Sequence, residues 1–556
     1  MLVRLALLVC LALPAAAQLS LQPVIAYRGV LNSASLAPPG LPNGGIARGS
    51  VFTIFGANLG PATPSTVSVF PLTPTFNGVN LSVSQSGTSV SAIPIFVSAN
   101  QINAILPSNA PLGTASLRVG FNGRIGAPVT IEVVENAPGI FAISSGGFGP
   151  AVVQNFNSEI DQPINSLDTS AARGQVITIW ATGLGRVPFP DNVAPSAQNL
   201  DIPVTITIGE RDAIRLYAGR SPCCSGVDQI VVRVPEDAPL GCYVPLRIKS
   251  GSGVSNTVTL AIAATAGAKC IDSFNPFTNV IRSSRRQGLI LLDRLQSLVD
   301  TYIPTVEQNT IESARAFFLT RDASPFTFDP QFSYPPPGSC LVQQTTGNAL
   351  RGAPMRGTPP SSVALDAGTT LRLNTTFNGS ADIPRTSSPQ SGYSAVVGSL
   401  RAADGAGLLK LDFPNATTLN ISGPLGDASI QPNSTNLFAW AGRTSLERIR
   451  RDVIQRILFT PNDFNATTEL SLVAYSAVHN ATTAITCLAA PGVDTFVLSP
   501  DLLANLPPAY GRVDGSLAMI GIGVVPLSRA VPFSATGLDG GLLLFTQWQT
   551  KSVYIQ

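Results

Sequence analysis

Histidine and charge are scarce in this sequence. Its 556 residues include a single histidine, His479, only 12% are Asp, Glu, Lys or Arg, and the formal net charge is +2. One histidine excludes His-rich metal sites and leaves His479 as the only candidate base of a Ser-His or Cys-His arrangement. The near balance of charge excludes the strongly basic surface typical of nucleic-acid-binding proteins, so we expect no nucleic-acid partner.

Acidic residues are missing from the first part of the chain. No Asp or Glu precedes Glu132, and acid–base catalysis or binding of a hard cation needs carboxylates. Further along, the acids are scattered, and the chain has no EF-hand loop, G-x-S-x-G elbow or S-x-x-K dyad. We therefore predict no catalytic, cofactor-binding or metal-ligating residues and no cofactor. The two carboxylates of a glycosidase can lie far apart in sequence, so the sequence does not exclude such a pair in residues 264–556.

Long hydrophobic runs are missing beyond the N-terminus. Arg4 is followed by an apolar run over residues 5–13 and then by small residues, which is the order of a secretory signal peptide. We assign residues 1–17 as a signal peptide and expect a secreted protein, extracellular or periplasmic. A later apolar run, residues 517–525, has only the length of a strand, so we expect no membrane span after cleavage.

Glycine and proline, in contrast, are abundant. There are 49 Gly and 46 Pro residues, and 44% of the chain is hydrophobic, which is too apolar for disorder and too interrupted for long helices. We therefore expect an all-β protein with many short strands. Residues 445–458 have the one helical pattern, with Ser445 at the N-cap position, and a pair of strands is the alternative there.

A sequence repeat organises the first half of the chain. Three blocks recur in the same order: 47–60 as 172–185, 100–113 as 228–241, and 129–131 as 258–260. The period of roughly 125 residues is too long for a solenoid and fits one β-sandwich plus a linker. We therefore predict two tandem β-sandwiches of the same fold, at residues 28–137 and 150–263.

Phe55 and Trp180 occupy equivalent places in the two repeats. One interpretation of these rings is a carbohydrate-stacking platform, and the other is a core aromatic packed between two sheets. The flanking β-branched residues are typical of a strand with a buried face, so we expect both rings in the core.

The repeated blocks resemble a known family. The combination Arg-Gly-x-Val-x-Thr-Ile with a following Leu-Gly, then Asn/Asp-Gln-Ile and Ala-Pro-Leu-Gly, is similar to the Ig-like repeats of the IPT/TIG type in uncharacterised secreted acidobacterial proteins of the Solibacter type. The resemblance covers residues 28–263. It implies an immunoglobulin-like sandwich, export and no assigned enzymatic activity, and it supplies no catalytic residues. The first repeat departs from the pattern by lacking a counterpart of Cys223-Cys224.

Six cysteines remain once the signal peptide is removed: Cys223, Cys224, Cys242, Cys270, Cys340 and Cys487. An even number in an exported chain predicts three disulfides, and the spacing is unlike that of a zinc site. We expect Cys242 to pair with Cys223 or Cys224, although a bond between those two neighbours is an alternative. We expect Cys340 to pair with Cys487, since both lie in the C-terminal region.

The pattern changes beyond residue 263. We treat residues 264–340, which end near a rigid Pro-Pro-Pro-Gly element, as a connector. In residues 341–556 turn signals alternate with short apolar runs, which predicts a β-rich, sandwich-like domain. His479 ends one such run, where a structural role is expected. A solvated face is expected for the basic cluster Arg448, Arg450, Arg451 and Arg456.

Two functional hypotheses follow from these features. The preferred one is a secreted, non-enzymatic, Ig-like multidomain protein for adhesion, glycan binding or scaffolding, with a cell-surface polysaccharide or another extracellular protein as its partner. The alternative is a secreted hydrolase whose active site lies in residues 264–556, with the repeats as spacers. Carboxylates that converge in a deep cleft would favour the hydrolase, and scattered acids on a shallow surface would favour the binding protein.

Overall fold

The computed structural model describes most of the chain beyond residue 21. The described residues are 22–200, 202–299, 307–321, 324–330, 332–346, 363–375, 379–386, 392–397, 406–413, 415–422, 440–460, 467–511, 514–535 and 537–556. The signal peptide assigned to residues 1–17 lies outside them. Strands dominate, which confirms the all-β prediction. Short helices interrupt them at α1 (Phe277–Ser283), α2 (Pro500–Leu503) and a 3₁₀ turn (Leu527–Arg529).

The first repeat is a sandwich whose two layers share one long strand. Its strands are β1 (Val24–Asn32), β2 (Ile46–Ala47), β3 (Val51–Ala57), β4 (Ser65–Thr66), β5 (Thr75–Phe76), β6 (Val79–Gln85), β7 (Thr88–Val97), β8 (Gln101–Ile105), β9 (Gly113–Phe121), β10 (Arg124–Ile125) and β11 (Val129–Val134). They pair in the order β1-β3-β8-β7-β6-β9-β11-β2. The first half of β7 pairs with β6 and the second half with β8, so this strand passes from one layer to the other.

The second repeat forms two separate sheets. Its strands are β12 (Gly139–Ile140), β13 (Val153–Asn155), β14 (Ala171–Ala172), β15 (Val176–Thr182), β16 (Gln198–Asn199), β17 (Val204–Ile208), β18 (Arg211–Asp212), β19 (Ile214–Arg220), β20 (Asp228–Arg233), β21 (Gly241–Ser250), β22 (Gly253–Val254) and β23 (Val258–Ala263). The sheet orders are β12-β15-β20-β19-β16 and β14-β23-β21-β17-β18. Buried side chains from both sheets, such as Ile179 and Leu260, fill the space between them.

The two repeats have equivalent strand pairings. β3 pairs antiparallel with β8, with Phe55 opposite Gln101, and β15 pairs antiparallel with β20, with Trp180 opposite Gln229. In both repeats a short strand before this pair, β2 or β14, runs parallel to the last long strand, β11 or β23. The repeated sequence blocks therefore occupy the same places in two copies of one fold.

A buried ion pair connects the second repeat to the first. Arg220 and Asp228 face each other at the ends of β19 and β20, and both side chains are almost fully buried. The same guanidinium donates from Nη2 to Gly49 O at 2.6 Å and to Gly185 O at 2.8 Å. One side chain thus ties carbonyls of both repeats together through charge-assisted hydrogen bonds.

The C-terminal region is built on a mixed sheet. Its strands are β24 (Arg286–Val299), β25 (Glu307–Thr320), β26 (Cys340–Thr346), β27 (Val363–Ala364), β28 (Thr370–Thr375), β29 (Gly379–Pro384), β30 (Tyr393–Val396), β31 (Ala406–Phe413), β32 (Asn415–Ser422), β33 (Arg448–Ile449), β34 (Gln455–Leu458), β35 (Thr467–Ser476), β36 (Ala481–Leu488), β37 (Thr495–Leu498), β38 (Leu517–Val525), β39 (Val531–Phe533), β40 (Gly540–Ser552) and β41 (Tyr554–Ile555). The main sheet has the order β26-β36-β35-β38-β40-β24-β25-β27, and a smaller sheet has the order β29-β28-β31-β32.

Residues 264–340, expected as a connector, contribute central strands to this sheet. β24 pairs in parallel with β40 and antiparallel with β25. Leu289 and Leu292 of β24 are buried in the core, so the segment is part of the C-terminal fold. The sequence does not show this because the partner strand β40 lies near the other end of the chain.

The helix predicted for residues 445–458 does not form in this fully described segment. β33 pairs in parallel with β41, and β34 pairs antiparallel with β37, so the strand alternative is the better description. Along β34 the buried Ile457 lies between exposed neighbours, which is a period of two. The apolar residues fit both periods, and long-range pairing selects the strand.

The six cysteines of the described chain form three disulfides, Cys223–Cys224, Cys242–Cys270 and Cys340–Cys487. Cys340 lies directly opposite Cys487 in β26 and β36, as expected. The predicted pairing of Cys242 with Cys223 or Cys224 is wrong. Asp272 accepts a hydrogen bond from Cys242 N at 2.7 Å, which holds the segment after β23 beside β21 and brings Cys270 to Cys242.

Candidate functional site

A β-bulge in β1 shapes the candidate site. β1 pairs with β3 at both ends, but the register shifts across residues 26–29. Arg28 has a positive φ of 54°, and a Cβ on Gly29 would lie 2.7 Å from Phe55 O. The bulge therefore displaces these residues from the ladder, so that Tyr27 and Arg28 lie at the edge of the surface that contains Phe55.

The displaced segment forms one wall of a groove of about 450 Å³ between the first repeat and the C-terminal region. The opposite wall consists of the end of β26 and the turn after β35. The lining combines aromatic rings with amide, hydroxyl, guanidinium and imidazole groups. These residues are Tyr27, Arg28, Phe55, Phe148, Gln344, Thr345, Thr346, His479 and Asn480. Among the described residues that line the groove there is no Asp or Glu.

Phe55 and Trp180 do not lie in the cores, contrary to the prediction. Both rings are only half-buried, whereas their neighbours Ile54 and Ile179 fill the two sandwich cores. The β-branched residues do indicate a buried face, but alternation along a strand places the aromatic residues on the other face. Phe55 lines the groove, and Trp180 donates from Nε1 to Gln154 Oε1 at 2.9 Å.

Hydrogen bonds fix the Arg28 guanidinium across the junction between the first repeat and the C-terminal region. Its Nη2 donates to Val478 O at 2.6 Å, its Nη1 donates to Pro39 O, and its Nε donates to the Tyr27 hydroxyl at 3.1 Å. The guanidinium carbon lies 5.5 Å from the centroid of the Tyr27 ring, which is a cation–π distance. Tyr27 is 78% exposed, and Arg28 holds its ring at the mouth of the groove.

His479 lies in the opposite wall, at the end of β35 where the sequence places it. Its Nδ1 is 2.9 Å from Ser476 Oγ. Burial, together with the positive charges of Arg28 and Arg451, lowers the pKa of His479 below its ordinary value, so the imidazole is neutral at pH 7. Ser476 is fully buried. A substrate cannot reach its hydroxyl, and the contact stabilises the turn rather than forming a nucleophile–base pair.

Two buried carboxylates of the C-terminal sheet are held by arginines. Asp293 pairs with Arg315 at 2.6 Å and accepts a hydrogen bond from Thr546 Oγ1 at 2.5 Å. Glu312 pairs with Arg294 at 2.5 Å. Arg294 lies opposite Glu312 and follows Asp293 in β24. Because successive side chains of a strand alternate in direction, the two carboxylates lie on opposite faces of the sheet and do not converge.

The basic cluster expected on one solvated face is divided between a turn and two short strands. Its members are Arg448, Arg450, Arg451 and Arg456. Arg450 forms an exposed ion pair with Asp452 at 2.8 Å. Arg451 instead donates to Leu506 O at 3.1 Å, and its burial lowers its pKa. The cluster therefore does not present one common basic face.

Metal-binding clusters are not found in the part of the chain that the structure describes. No group of three or more His, Cys, Asp and Glu side chains there is placed to hold a metal ion. The six described cysteines are all in disulfides, so they offer no thiolate ligand. Within the same residues no helix has the length and apolar character needed to cross a bilayer.

The sequence alone does not single out Tyr27 and Arg28. The available signal is Gly29, which follows these two large side chains within a strand pattern, because an isolated glycine in a strand is typical of a bulge. The other half of the groove comes from β26 and from His479. These elements are distant in sequence, and their contact with the first repeat depends on tertiary packing.

No family model and no curated protein matches the sequence. Similar solved structures include a tetra-tandem repeat from the extending region of a large adhesion protein, at 10% identity over 91% of this chain and 96% of that chain, with a TM-score of 0.12. Domains 5–6 of the S-layer protein SbsC match at 14% identity over 44% of this chain and 100% of theirs, with a TM-score of 0.14.

A third similar structure is SGBP-B of the Bacteroides ovatus mixed-linkage glucan utilization locus, in complex with a mixed-linkage heptasaccharide. It matches at 8% identity over 89% of this chain and 94% of that chain, with a TM-score of 0.12. TM-scores this low carry no argument about function. The sheets described above show the fold class, which is all-β with tandem immunoglobulin-like sandwiches.

Proposed function

We propose that this protein is a secreted, non-enzymatic, multidomain protein with Ig-like repeats of the IPT/TIG type that binds a cell-surface polysaccharide. The observation that carries the proposal is the groove, whose lining combines Tyr27, Phe55 and Phe148 with amide and hydroxyl groups. Aromatic rings pack against the apolar faces of sugar rings, and amides and hydroxyls exchange hydrogen bonds with sugar hydroxyls. The volume of about 450 Å³ lies within the range of ligand sites.

Contacts between the first repeat and the C-terminal region hold the two walls of the groove together. Asn43 Nδ2 lies 3.1 Å from Asn505 Oδ1 and 3.2 Å from Gln344 Oε1, and donates to both. Arg28 adds its hydrogen bond to Val478 O. Because these contacts join the two walls directly, less ordering is needed on binding, which favours affinity.

The placement of three buried carboxylates of the C-terminal region supports a binding role over hydrolysis. A glycosidase needs two carboxylates that flank the bound sugar. Asp293 and Glu312 face opposite sides of their sheet, and Asp329 is fully buried in an ion pair with Arg321 at 2.5 Å. We expect the purified protein to bind its glycan without releasing reducing sugar, and release at an enzymatic rate would support the hydrolase instead.

Export is part of the proposal. Residues 1–17 have the order of a signal peptide, and disulfides such as those formed by the six described cysteines persist in oxidising compartments. N-terminal sequencing of protein recovered from the culture medium or periplasm tests this point. We expect the mature chain to begin at Gln18.

A glycan array followed by calorimetric titration tests the groove. Tyr27→Ala removes the exposed ring at its mouth, and Tyr510→Ala is a matched control because Tyr510 is also exposed and does not line the groove. We expect Tyr27→Ala to weaken binding of the glycan found on the array by about tenfold or more, which corresponds to about 1.4 kcal/mol. Tyr510→Ala should bind like the wild type. Unchanged binding by Tyr27→Ala, or an equal loss in both variants, would contradict the assignment.

A further inference from the structure

We propose that the cleft between the two repeats is a second ligand site and that it binds a glycan bearing carboxylates, such as a polyuronate. The cleft has a volume of about 810 Å³, and none of its lining residues belongs to the groove. It lies where the loop after β15 packs against the first repeat. This size is within the range of sites that enclose a small ligand.

Arginines from both repeats line this cleft. Arg220 donates to Gly49 O and Gly185 O from the same nitrogen, so these two carbonyls lie side by side. Arg48 immediately precedes Gly49, and Arg186 immediately follows Gly185. Both Arg48 and Arg186 line the cleft. The backbones of Arg48 and Arg186 therefore lie close together at the junction, although the two residues are far apart in sequence.

Two of these guanidinium groups have carboxylate partners. Arg220 is paired with the buried Asp228. Arg48 is paired with Glu135 through Nη2, but its Nε is buried without a hydrogen-bond partner. Arg48 and Arg220 therefore have their charges paired within the protein.

The Arg186 guanidinium is not engaged by other described residues of the protein. It is exposed, and within the described chain it has no hydrogen-bond or ion-pair partner. Asp191 is the one acidic residue among the described residues of the lining. Its carboxylate accepts hydrogen bonds from Ser108 N at 2.7 Å and Ser108 Oγ at 2.8 Å. Arg186 is therefore free to bind an anionic group of a ligand.

The rest of the lining suits a sugar. The floor is apolar, with Leu72 and Ile93 buried in one cluster at the junction. Phe189 presents a half-buried ring. Hydroxyl and amide groups are exposed at the rim, on Ser89, Ser91 and Asn109. An apolar floor accepts the face of a pyranose ring, and such rim groups can bind its hydroxyls.

A ladder of serines extends from the cleft across the neighbouring sheet. Ser82 lies opposite Ser91 and Ser84 opposite Ser89 in the β6–β7 pair, and Ser116 lies opposite Ser84 in the β6–β9 pair. Directly opposite residues share one face of a sheet, and all five are at least partly exposed. A polymer bound in the cleft can therefore continue across this face.

This row of hydroxyls distinguishes a polyuronate from other polyanions. The positive charge of Arg186 attracts any carboxylate, whether it belongs to a sugar or to an acidic peptide. Serine side chains at the regular spacing of a sheet match a ligand with many hydroxyl groups, and an acidic peptide lacks those groups. We therefore expect a carboxylated glycan to bind more tightly than an acidic peptide of similar charge.

Calorimetric titration of the full-length mature protein tests the cleft. The probes are polygalacturonate, a neutral galactan and poly-glutamate, each at low and high ionic strength. We expect binding of polygalacturonate that weakens with salt and is weakened about tenfold or more in Arg186→Gln. The matched control is Arg211→Gln, because Arg211 is an exposed arginine of the same repeat outside the cleft. It should change affinity by less than about twofold.

The outcomes separate this site from the groove. Phe55→Ala changes the groove only, so it should bind polygalacturonate like the wild type even where it loses the glycan found on the array. Unchanged binding by Arg186→Gln, an equal loss in Arg211→Gln, or poly-glutamate binding as tight as that of polygalacturonate would overturn the proposal.

Discussion

The two repeats share their strand pairing but differ in what lies beside the shared strands. At equivalent places, Phe55 lines an open groove and Trp180 is held by a hydrogen bond to Gln154. The neighbouring edge also differs, because one bulged strand, β1, lies beside β3, whereas two short strands, β12 and β13, pair with β15 on either side of Trp180. The strand at the edge of each repeat, rather than the repeated motif, therefore decides which ring is available to a ligand.

The two repeats also differ in the connection between equivalent strands, β7 to β8 in the first repeat and β19 to β20 in the second. In the first repeat Ser98 N donates to Gln101 O at 2.8 Å and closes a tight turn between β7 and β8. The second repeat opens the equivalent connection into the loop 221–227, flanked by Arg220 and Asp228. The same sandwich fold thus carries an exposed groove in the first repeat and a buried junction in the second. This is expected where function depends on loops and edge strands rather than on the fold.

The largest expected effect comes from breaking the buried junction. Arg220→Met leaves Asp228 buried without its partner, and we expect a loss of about 3–5 kcal/mol in the free energy of unfolding measured with urea. Arg211→Met is the control, because it breaks the exposed pair with Asp237, and it should cost less than about 1 kcal/mol. Equal losses in the two variants would mean that Arg220 does not hold the repeats together.

Truncation of single side chains in β3 distinguishes a core position from a position in the groove. Ile54 is fully buried in the first sandwich, so Ile54→Ala should lower the free energy of unfolding by about 2–5 kcal/mol. Phe55 is half-buried at the groove, and Phe55→Ala should cost about 1 kcal/mol or less. Denaturant titration measures both. A greater loss of unfolding free energy in Phe55→Ala than in Ile54→Ala would show that the Phe55 ring is packed in the core.

Asp272 gives the connection between the second repeat and the C-terminal region a pH dependence. Burial raises the pKa of Asp272 to about 6, although Thr278 and Cys242 N donate to its carboxylate. The unfolded pKa is about 3.9, so the folded state binds the proton more tightly. The stability that this group contributes is therefore fully present below about pH 4 and is lost as the pH rises through about 6, a change of about 2–3 kcal/mol.

Unfolding of the wild type and of Asp272→Asn between these two pH values checks the direction. Asparagine keeps an acceptor for Cys242 N but does not titrate. The stability of the variant relative to the wild type should therefore increase with pH. A difference that is independent of pH, or that has the opposite sign, would show that the carboxyl does not titrate as its burial implies.

The smallest expected effect concerns His479. Burial and the charges of Arg28 and Arg451 lower its pKa, and Asp514 opposes them. The unfolded chain therefore binds the proton more tightly, and stability should fall as the pH drops below about 6.5. Thermal unfolding of His479→Gln should show a smaller fall than the wild type over this range. Identical pH profiles would exclude an effect of His479 on the wall of the groove.

Local patterns in the sequence predict much of the fold. The repeated blocks predict two copies of one sandwich, because alternation and turn residues are properties of neighbouring positions. Local patterns do not predict the parallel pairing of β24 with β40, nor do they predict the strands β33 and β34. Their partners are distant in the chain, and sequences that fit two periods are decided by those partners.

The candidate site is less accessible to sequence reasoning. The sequence shows Phe55 as a possible sugar-stacking ring and shows that its strand has a buried face, but it does not show that Ile54 rather than Phe55 lies on that face. Tyr27 and His479 meet across the groove only because the C-terminal region packs on the first repeat. The bulge that presents Tyr27 depends on the register between β1 and β3, which a single sequence does not specify.

Calorimetric titration of the array-identified glycan with Phe55→Ala and Trp180→Ala tests the central claim most directly. The two substitutions remove aromatic rings from equivalent positions of the repeated strand, but only Phe55 lines the groove. We predict that Phe55→Ala weakens binding by about tenfold or more, while Trp180→Ala binds within about twofold of the wild type. Loss of binding in Trp180→Ala with unchanged binding in Phe55→Ala would contradict the assignment of the groove as the glycan site.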